Sequence, residues 1–229
     1  MDKFNPQPSQ YIFMTNNVKD GTLHVIEKWM KKHSNTMIII RNFPKNITKR
    51  IGPYGAIALV RQILLNTARK LNVDKAIFID DDIQIADKDF ITKMIANDKD
   101  IVGGAYFRTY PMGDLMSYLA FNETGEKAHC PYILRNYQLH KLFKVVAVGG
   151  GCMCIDKKVL NDKRVNFFPI VDYGLNAAKP SEDFAFCILA GKLGYGVFTD
   201  DRFKICHYQI HSPRPWRMKN KQEYIDFEY

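Results

Sequence analysis

Strand-like and helix-like segments alternate over the first part of the chain, and this alternation limits the folds it can adopt. Short apolar runs occupy residues 11–15, 37–40 and 76–79. Between them, residues 21–33 and 54–71 carry apolar side chains at spacings of three and four, which is the period of an amphipathic helix. Strand, helix, strand, helix and strand in this order predict a parallel sheet with covering helices.

The segments beyond residue 80 predict a less regular arrangement. We expect a helix at residues 88–97 and a strand at residues 101–107. A hairpin is expected next, with strands at residues 114–121 and 127–134 and a turn around residues 122–125. The later predicted elements are a strand at residues 143–148, a helix at residues 182–193, and strands at residues 195–199 and 203–208.

Proline and glycine predict a loop ahead of the second helix. Pro44, Gly52 and Pro53 fall between the second apolar run and residue 54, where such residues commonly interrupt a helix. No repeat, low-complexity segment or linker divides the chain. We therefore expect residues 1–229 to form one α/β domain, with a mostly parallel central sheet flanked by helices and a small antiparallel part in the second half.

The chain carries a positive excess, with 33 Lys and Arg residues against 24 Asp and Glu, and a formal net charge of +9. Such an excess suits a nucleic acid, an anionic membrane surface or an anionic small molecule such as a nucleotide diphosphate. Nucleic acid is disfavoured because the sequence has no dense Lys/Arg block and no nucleic-acid-binding motif. The most basic stretch, residues 211–221, is predicted to be a solvated extension, with a lid or a peripheral membrane contact as alternatives.

Hydropathy and cysteine usage favour a cytoplasmic protein. No run reaches the roughly 18–20 apolar residues that a membrane span needs, and residues 1–10 do not resemble a secretory signal. The five cysteines are odd in number and include no CxxC pair, which favours reduced and buried thiols. Cys152 and Cys154 would share one face of a strand, so a soft-metal site is the alternative.

Three consecutive carboxylates, Asp80, Asp81 and Asp82, directly follow the third apolar run. In open α/β sheets, ligands bind at the carboxyl edge of the strands. Adjacent carboxylates repel one another, and a divalent cation is a usual way to neutralise them. The segment therefore predicts a metal site, in which Asp80 and Asp82 can point the same way. A solvated acidic turn is the alternative.

Two reactions use an acidic motif of this kind after an apolar strand. One is metal-dependent phosphate-ester hydrolysis of the haloacid-dehalogenase type, with Asp80 as nucleophile. That motif lies near the N-terminus and continues with Thr or Val where this chain has Gln84. The other reaction is sugar transfer from a nucleotide diphosphate sugar. A non-catalytic carbohydrate-binding or nucleic-acid-binding protein with a degenerate acidic site is a third possibility.

The motif IFIDDDIQI at residues 77–85, followed by DIVGGAYF, SEDFAFCILAGKLGYGVFTD and KICHYQ, resembles the nucleotide-sugar glycosyltransferases of GT-A fold, notably family 2. The chain is also similar to small glycosyltransferases of large DNA viruses, which would place it in the host cytoplasm. The resemblance covers roughly residues 11–208. It implies a Rossmann-like GT-A domain in which residues 11–107 bind the nucleotide sugar, residues 108–208 form the acceptor side and residues 209–229 are an extension.

The resemblance also implies a site for Mn²⁺ or Mg²⁺. Asp80 would lie near the ribose and the metal, with Asp81 beside it, and Asp82 would coordinate the ion that bridges the diphosphate. His207 would add a metal or phosphate contact, with His211 as the competing histidine. A divalent ion in this position would neutralise the charge that develops on the leaving diphosphate.

Two acids in the SEDF segment match the part of the family that supplies the catalytic base. The resemblance implies that Asp183 deprotonates the acceptor hydroxyl, with Glu182 as a neighbour or acceptor contact, and that the anomeric centre is inverted. A structural explanation is also open. Ser181 can cap the predicted helix, and acids in its first turn complement the helix dipole.

The nucleotide is expected to contact Thr15, Asn16 and Arg61. Thr15 and Asn16 end the first predicted strand, where the family binds the base. Arg61 matches the arginine of an ARN pattern, with Gln62 in place of Asn, although a helix residue of this kind could also be exposed. The implied donor is a UDP-sugar, and the implied acceptor is a hydroxyl of a glycan or glycoprotein.

Three glycines at residues 149–151 follow a predicted strand. They are not a P-loop because no GK(S/T) follows, but they suit close approach of the backbone to a ligand. Aromatic residues of the same region could stack on a sugar or pack in the core: Tyr106, Phe107 and Tyr110.

Overall fold

A mixed six-stranded sheet lies at the centre of the fold, with helices packed against it. The computed structural model describes residues 6–106, 117–119, 142–167, 181–200, 202–203 and 205–207. The strands are β1 (Tyr11–Asn16), β2 (Thr36–Arg41), β3 (Lys75–Ile79), β4 (Ile83–Ile85), β5 (Ile101–Gly104), β6 (Ser117–Leu119), β7 (Leu142–Val148), β8 (Cys152–Asp156), β9 (Val197–Asp200) and β10 (Ile205–His207). The helices are α1 (Thr22–Met30), α2 (Lys45–Leu71), α3 (Phe90–Ala96), α4 (Lys157–Asn161) and α5 (Glu182–Lys192).

The central sheet has the strand order β3-β8-β5-β9-β7-β6. β5 and β9 run parallel, whereas the other adjacent pairs run antiparallel. The prediction of a mostly parallel sheet is therefore wrong. The physical reason is β8, which turns back after the glycines at residues 149–151 and inserts between β3 and β5. It places Cys152 opposite Ile79 and Cys154 opposite Val102.

Two further strand pairs flank the central sheet. β1 and β2 run parallel as predicted, from Tyr11 opposite Thr36 to Asn16 opposite Arg41. They form a separate two-stranded sheet, because β3 pairs with β8. β4 pairs antiparallel with β10, and this register places the backbone of His207 opposite Ile83. The last strand therefore returns to the segment that carries the three consecutive aspartates.

The side chains of β8 alternate between two hydrophobic clusters on the two faces of the sheet. Met153 and Ile155 belong to the larger cluster, which includes residues of α2, α4 and α5. Cys152 and Cys154 belong to the smaller cluster, together with residues of α3. Helices on one face and α3 with the β4–β10 pair on the other thus bury the sheet from both sides.

The helix α2 begins at Lys45, so the loop predicted around Gly52 and Pro53 is wrong. A proline inside a helix removes one backbone hydrogen bond and costs about 3 kcal/mol. Burial of later turns of the same helix at Ala58, Leu65 and Ala68 offsets this cost. None of the helices in the described residues combines the length and the apolar character needed to cross a bilayer.

The remaining predicted elements overlap the observed ones, with differences of a few residues at their ends. The predicted hairpin lies outside the described residues except for β6, which pairs with β7. β4, β8 and α4 are additional elements. The sequence indicated β8 only through the alternation of Cys152 and Cys154.

Buried and reduced cysteines are confirmed for Cys152, Cys154 and Cys187, which are free thiols. Burial raises the pKa of Cys154 and of Cys187 to about 12, so both stay protonated at neutral pH. Cys152 and Cys154 lie in a hydrophobic cluster, and no three His, Cys, Asp or Glu side chains within the described residues are grouped to hold a metal ion, which disfavours the soft-metal alternative. Cys130 lies outside the described residues, and Cys206 belongs to β10.

Shortening Phe186 should destabilise the fold strongly. Phe186 is fully buried in α5, and its ring stacks on Phe167 with centroids 4.2 Å apart. Phe186→Ala leaves a cavity in the larger cluster and is expected to lower the free energy of unfolding by about 3–5 kcal/mol. The control is Val25→Ala, because Val25 is 67% exposed and should change stability by less than about 0.5 kcal/mol. Equal losses in urea titrations of the two variants would contradict the assignment of Phe186 to the core.

Candidate active site

Arg61 lies at the centre of a buried group of charges. Its Nη2 donates to Asp80 Oδ1 at 3.0 Å and to Asp80 Oδ2 at 2.7 Å. Its Nη1 donates to Glu182 Oε1 at 2.6 Å and lies 3.8 Å from Asp183 Oδ2. We refer to Arg61, Asp80, Glu182 and Asp183 as the Arg61 cluster. One guanidinium thus joins the aspartate motif after β3 to the two acids that begin α5.

The helical period of α2 turns Arg61 inward. Arg61, Leu65 and Ala68 follow one another at spacings of four and three, and all three are buried. Arg61 is only 5% exposed, so the alternative of an exposed helix residue is wrong. Burial lowers the pKa of Arg61, but the charges of Asp80, Asp183 and Glu182 outweigh it, and the net shift is upward. The guanidinium therefore stays charged.

A glycine lies directly against the Arg61 guanidinium. A Cβ placed on Gly150 would lie 2.0 Å from Nη1 and 2.4 Å from Cζ of Arg61. Such distances are far below van der Waals contact, so any larger residue would displace the guanidinium. Within the described residues this glycine-rich turn approaches two side chains, Arg61 at Gly150 and Tyr106 at Gly151. The predicted approach of the turn to a ligand stays a prediction.

Asp80 is the most accessible acid of the Arg61 cluster. It directly follows β3, and its side chain is 43% exposed although Arg61 binds it. Its backbone N–H donates to Gly151 O at 3.0 Å, and its carbonyl accepts from Ile83 N at 3.1 Å. The next two acids differ in burial, because Asp81 is exposed and Asp82 is half-buried. The turn is therefore tied to the glycine-rich segment on one side and to β4 on the other.

Asp183 is held by several donors at the N-terminus of α5. Its Oδ2 accepts from Gly150 N at 2.8 Å, and its Oδ1 accepts from Phe184 N at 2.8 Å. Ser181 occupies the N-cap position as predicted, but its hydroxyl donates to Asp183 Oδ1 and makes no cap to the backbone. These donors fix the position of the Asp183 carboxylate between the glycine-rich turn and α5.

Glu182 is buried beside the same guanidinium, with 3% of its surface exposed. Its Oε1 accepts from Arg61, whereas its buried Oε2 has no hydrogen-bond partner within the described residues. Burial raises the pKa of Glu182 to about 7, with Asp183 adding to the rise and Arg61 opposing it. Glu182 can therefore gain or lose a proton near neutral pH.

Tyr106 and Gln62 complete the surroundings of the Arg61 cluster. The Tyr106 hydroxyl accepts from Gly151 N at 2.8 Å. Burial, with the charges of Asp183 and Asp80, raises the pKa of Tyr106 well above its ordinary value, so the phenol stays neutral. At 3% exposure Tyr106 packs in the core. Gln62 is also buried, and its Oε1 accepts from Phe167 N at 2.9 Å.

Asp82, one proposed cation ligand, lies in the turn after β3, and His207, the other, ends the strand that pairs with β4. The backbone of His207 is opposite Ile83, one residue beyond Asp82. Carboxylate oxygens suit both Mn²⁺ and Mg²⁺, and an imidazole favours Mn²⁺, so this donor set fits a hard divalent ion. No three His, Cys, Asp or Glu side chains within the described residues are grouped so as to hold a metal ion, but the side chain of His207 is not among those described. The metal assignment stays a prediction.

Thr15 and Asn16 lie at the carboxyl end of β1, as predicted. Thr15 Oγ1 and Asn16 Oδ1 are both buried and lack a hydrogen-bond partner within residues 6–106 and the other described parts. Buried polar atoms are normally satisfied, so the two atoms suit contacts to a bound molecule. Their role in nucleotide binding stays a prediction. Three other sequence candidates, Phe107, Tyr110 and His211, lie outside the described residues.

The sequence analysis did not identify the contact of Glu182 with Arg61 or the role of Gly150 and Tyr106. A signal existed only for Gly150, because three consecutive glycines indicate close approach of some group to the backbone. The partner of a buried charge is set by tertiary packing. Spacing along the chain could not identify it.

Comparisons with known proteins address only the fold. No family model matches the chain, and no curated protein sequence matches it. Among solved structures, A197 from STIV aligns with a TM-score of 0.52 and 16% identity over 87% of this chain and 86% of that chain. GalNAc-T7 solved with UDP, GalNAc and Mn²⁺ aligns with a TM-score of 0.49 and 13% identity over 89% of this chain and 38% of that chain.

A third similar structure, HddC from Yersinia pseudotuberculosis, has a TM-score of 0.43 and 14% identity over 90% of this chain and 74% of that chain. The likeness to A197 shows a shared fold. The scores of the other two structures are too low to support an argument. The described architecture, a mixed central sheet with helices, is compatible with the GT-A fold that the sequence resembles.

Enlarging Gly150 should disturb the Arg61 cluster. The methyl group of Gly150→Ala would overlap the guanidinium, so Arg61 would have to leave its present position. Overpacking of this kind costs roughly 1–3 kcal/mol of unfolding free energy. The matched control is Gly191→Ala, because a Cβ at Gly191 meets nothing within 4 Å and alanine favours the helix. If both variants unfold at the same urea concentration as the parent protein, Gly150 does not confine Arg61.

Glu182 should make the stability depend on pH between about 4.5 and 7. Because the folded pKa lies above the ordinary value of 4.5, the folded state keeps a proton that the unfolded state has lost. The stabilisation is fully present below pH 4.5 and is lost as the pH rises through 7, with a slope of at most about 1.4 kcal/mol per pH unit. Glu182→Gln cannot ionise and should be relatively more stable as the pH rises.

The measurement is urea unfolding of Glu182→Gln and of the parent protein at several pH values. Glu27→Gln is the control, because Glu27 is exposed on α1. A constant difference between Glu182→Gln and the parent protein from pH 5 to pH 8 would show that Glu182 does not titrate in this range.

Proposed function

We propose that this protein is a glycosyltransferase that uses a nucleotide diphosphate sugar. UDP is the expected nucleotide, and the expected acceptor is a hydroxyl of a glycan or glycoprotein. A divalent cation, Mn²⁺ or Mg²⁺, is part of the proposal. The support comes from the motifs that resemble GT-A enzymes and from the geometry that those motifs adopt in the fold.

The observation that carries the proposal is the meeting of two motifs on one guanidinium. Arg61 contacts Asp80, 19 residues away, and Glu182, 121 residues away. The resemblance assigns the first motif to the donor and the second to the acceptor. A single site for transfer needs both in one place, and the Arg61 cluster brings their acids together.

The donor is proposed to bind along the carboxyl ends of β1 and β3. The two buried oxygens at Thr15 and Asn16 would bond the nucleoside, and Asp80 would contact the ribose. Asp82 and His207 would hold the cation, with Asp81 exposed at the rim. When bound, the cation would supply positive charge against the leaving diphosphate.

Asp183 is the proposed base of the reaction. The acceptor oxygen attacks the anomeric carbon, the bond from that carbon to the diphosphate breaks, and the acceptor proton passes to Asp183. Hydrogen bonds from Gly150 N and Phe184 N fix the orientation of the Asp183 carboxylate. Direct displacement inverts the anomeric centre, so a retained configuration in the product would remove Asp183 from this role.

The position of the motif disfavours the hydrolase alternative. In this chain Asp80 follows β1, α1, β2, α2 and β3, whereas the hydrolase motif lies near the N-terminus, and Gln84 stands where that motif has Thr or Val. Release of phosphate from an ester without any sugar donor would favour that alternative. Steeply salt-dependent nucleic-acid binding without turnover would instead favour a non-catalytic binding protein.

Removing the charge of Asp82 should abolish cation-dependent nucleotide binding. The proposal expects UDP with Mn²⁺ to raise the melting temperature of the parent protein and to have no such effect on Asp82→Asn. Asp74→Asn is the matched control, because the Asp74 side chain is 92% exposed and Asp74 precedes β3, at the end of the strand opposite to Asp80. The thermal-shift measurements should also include other nucleotides. Sugar transfer from UDP-sugars should be measured in a separate turnover assay.

Two outcomes would contradict this part of the proposal. Stabilisation of Asp82→Asn equal to that of the parent protein would remove Asp82 from the cation site. Absence of any nucleotide effect and of any sugar transfer in the parent protein would refute the proposed function itself.

A further inference from the structure

We infer that Glu182 is a positioning residue, which acts through Arg61 to fix the carboxylate of Asp80 at the donor site. This inference rests on the proposed function for its role in catalysis. It differs from the sequence-based expectation, in which Glu182 is a neighbour of the base or a contact to the acceptor. The structural part of the inference, that Arg61 couples the position of Glu182 to that of Asp80, can be tested without a substrate.

The burial of the two acids separates their roles. The side chain of Glu182 is 4% exposed and that of Asp80 is 43% exposed. A bound molecule can therefore reach Asp80 directly, whereas Glu182 is buried and bonds Arg61. Contact between Glu182 and an acceptor would need the residues that bury it to move.

The two acids share one rigid donor group. Arg61 uses Nη1 for Glu182 at 2.6 Å and Nη2 for Asp80 at 2.7 Å. The guanidinium is planar, so a rotation that breaks one of these contacts also moves the nitrogen that makes the other. Fixing Nη1 therefore fixes the direction from which Nη2 reaches Asp80.

Arg61 needs this second contact because its side chain is long and flexible. Asp80 alone would allow the guanidinium to pivot about Nη2, although Gly150 lies against it near Nη1 and Cζ. Glu182 anchors the far nitrogen, and its charge compensates the buried cation. Removing Glu182 would take away the hydrogen-bond acceptor at Nη1 of this buried cation and leave it only Asp80 and the more distant Asp183.

The position of Arg61 also affects the three consecutive aspartates at the proposed donor site. Asp80 must be held apart from Asp81 and Asp82 against their mutual repulsion, and Arg61 supplies the only positive charge bonded to it within the described residues. Without Glu182, Asp80 would be free to turn with Arg61. The affinity for a cation-bound nucleotide should then fall, although Glu182 touches neither component.

The first experiment is a double-mutant cycle of thermal stability. Melting temperatures are measured for the parent protein, Glu182→Gln, Asp80→Asn and the double variant. If Arg61 links the two acids, their effects are non-additive by roughly 2–4 °C. The control cycle pairs Glu182→Gln with Asp156→Asn, because Asp156 bonds Lys75 and shares no partner with Glu182. Additive effects in the Glu182 and Asp80 cycle would overturn the inference.

Direct repulsion between the two carboxylates could also produce non-additivity, so the cycle is repeated with Arg61→Met. A link through Arg61 predicts that the coupling disappears, whereas direct repulsion predicts that it persists, which would overturn the inference. Should Arg61→Met fail to fold, Arg61→Lys gives the same comparison, because a single ammonium cannot reproduce the two-nitrogen contact.

The second experiment measures UDP binding in the presence of Mn²⁺ by titration calorimetry. Glu182→Ala should weaken binding by about tenfold, and Glu182→Gln should bind more tightly than Glu182→Ala because its amide oxygen still accepts from Nη1. Glu27→Ala, on exposed α1, should bind as the parent protein does. Unchanged binding by Glu182→Ala would overturn the positioning role. If the parent protein binds no nucleotide, the proposed function and the catalytic role of Glu182 both fail, and the stability cycle still decides whether the link exists.

Discussion

The described structure depends on one buried guanidinium that is surrounded by three carboxylates. Charges removed from water are tolerated only when they are paired and hydrogen-bonded, so Arg61 and its partners constrain one another's positions. The pairing joins α2, the end of β3 and the start of α5. It also requires a glycine at residue 150, because the backbone must lie flat against the guanidinium.

The antiparallel return of β8 makes this arrangement possible. β7 runs into the glycine-rich turn at residues 149–151, and β8 leads away from it beside β3. Because β8 opposes β3, the turn lies beside the carboxyl end of β3, where Asp80 begins its own turn. A parallel strand in that position would place its preceding turn at the opposite edge of the sheet. The mixed sheet therefore positions the site.

The sequence predicted the secondary-structure elements and the acidic motifs better than the pairing of the strands and the contacts between the motifs. Periodicity identified α1, the cap, first-turn acids and terminal glycine identified α5, and the apolar run before Asp80 identified β3, because these signals are local. The order of the central sheet was not predictable in this way, since alternation assigns a residue to a face and leaves the partner strand open. The sequence also missed α2 before residue 54, where packing of later turns outweighs the cost of Pro53. Arg61 was recognised by resemblance, but its bond to Glu182 depends on contacts between distant segments.

The distances along the chain between the partners of Arg61 have a consequence for folding. Asp80 is synthesised shortly after Arg61, whereas Glu182 follows 121 residues later. Contacts between distant segments form late, because the intervening chain must first be ordered. The first half of the chain contains Arg61 and Asp80 but neither Glu182 nor Gly150, so the Arg61 cluster is complete only when the second half has docked.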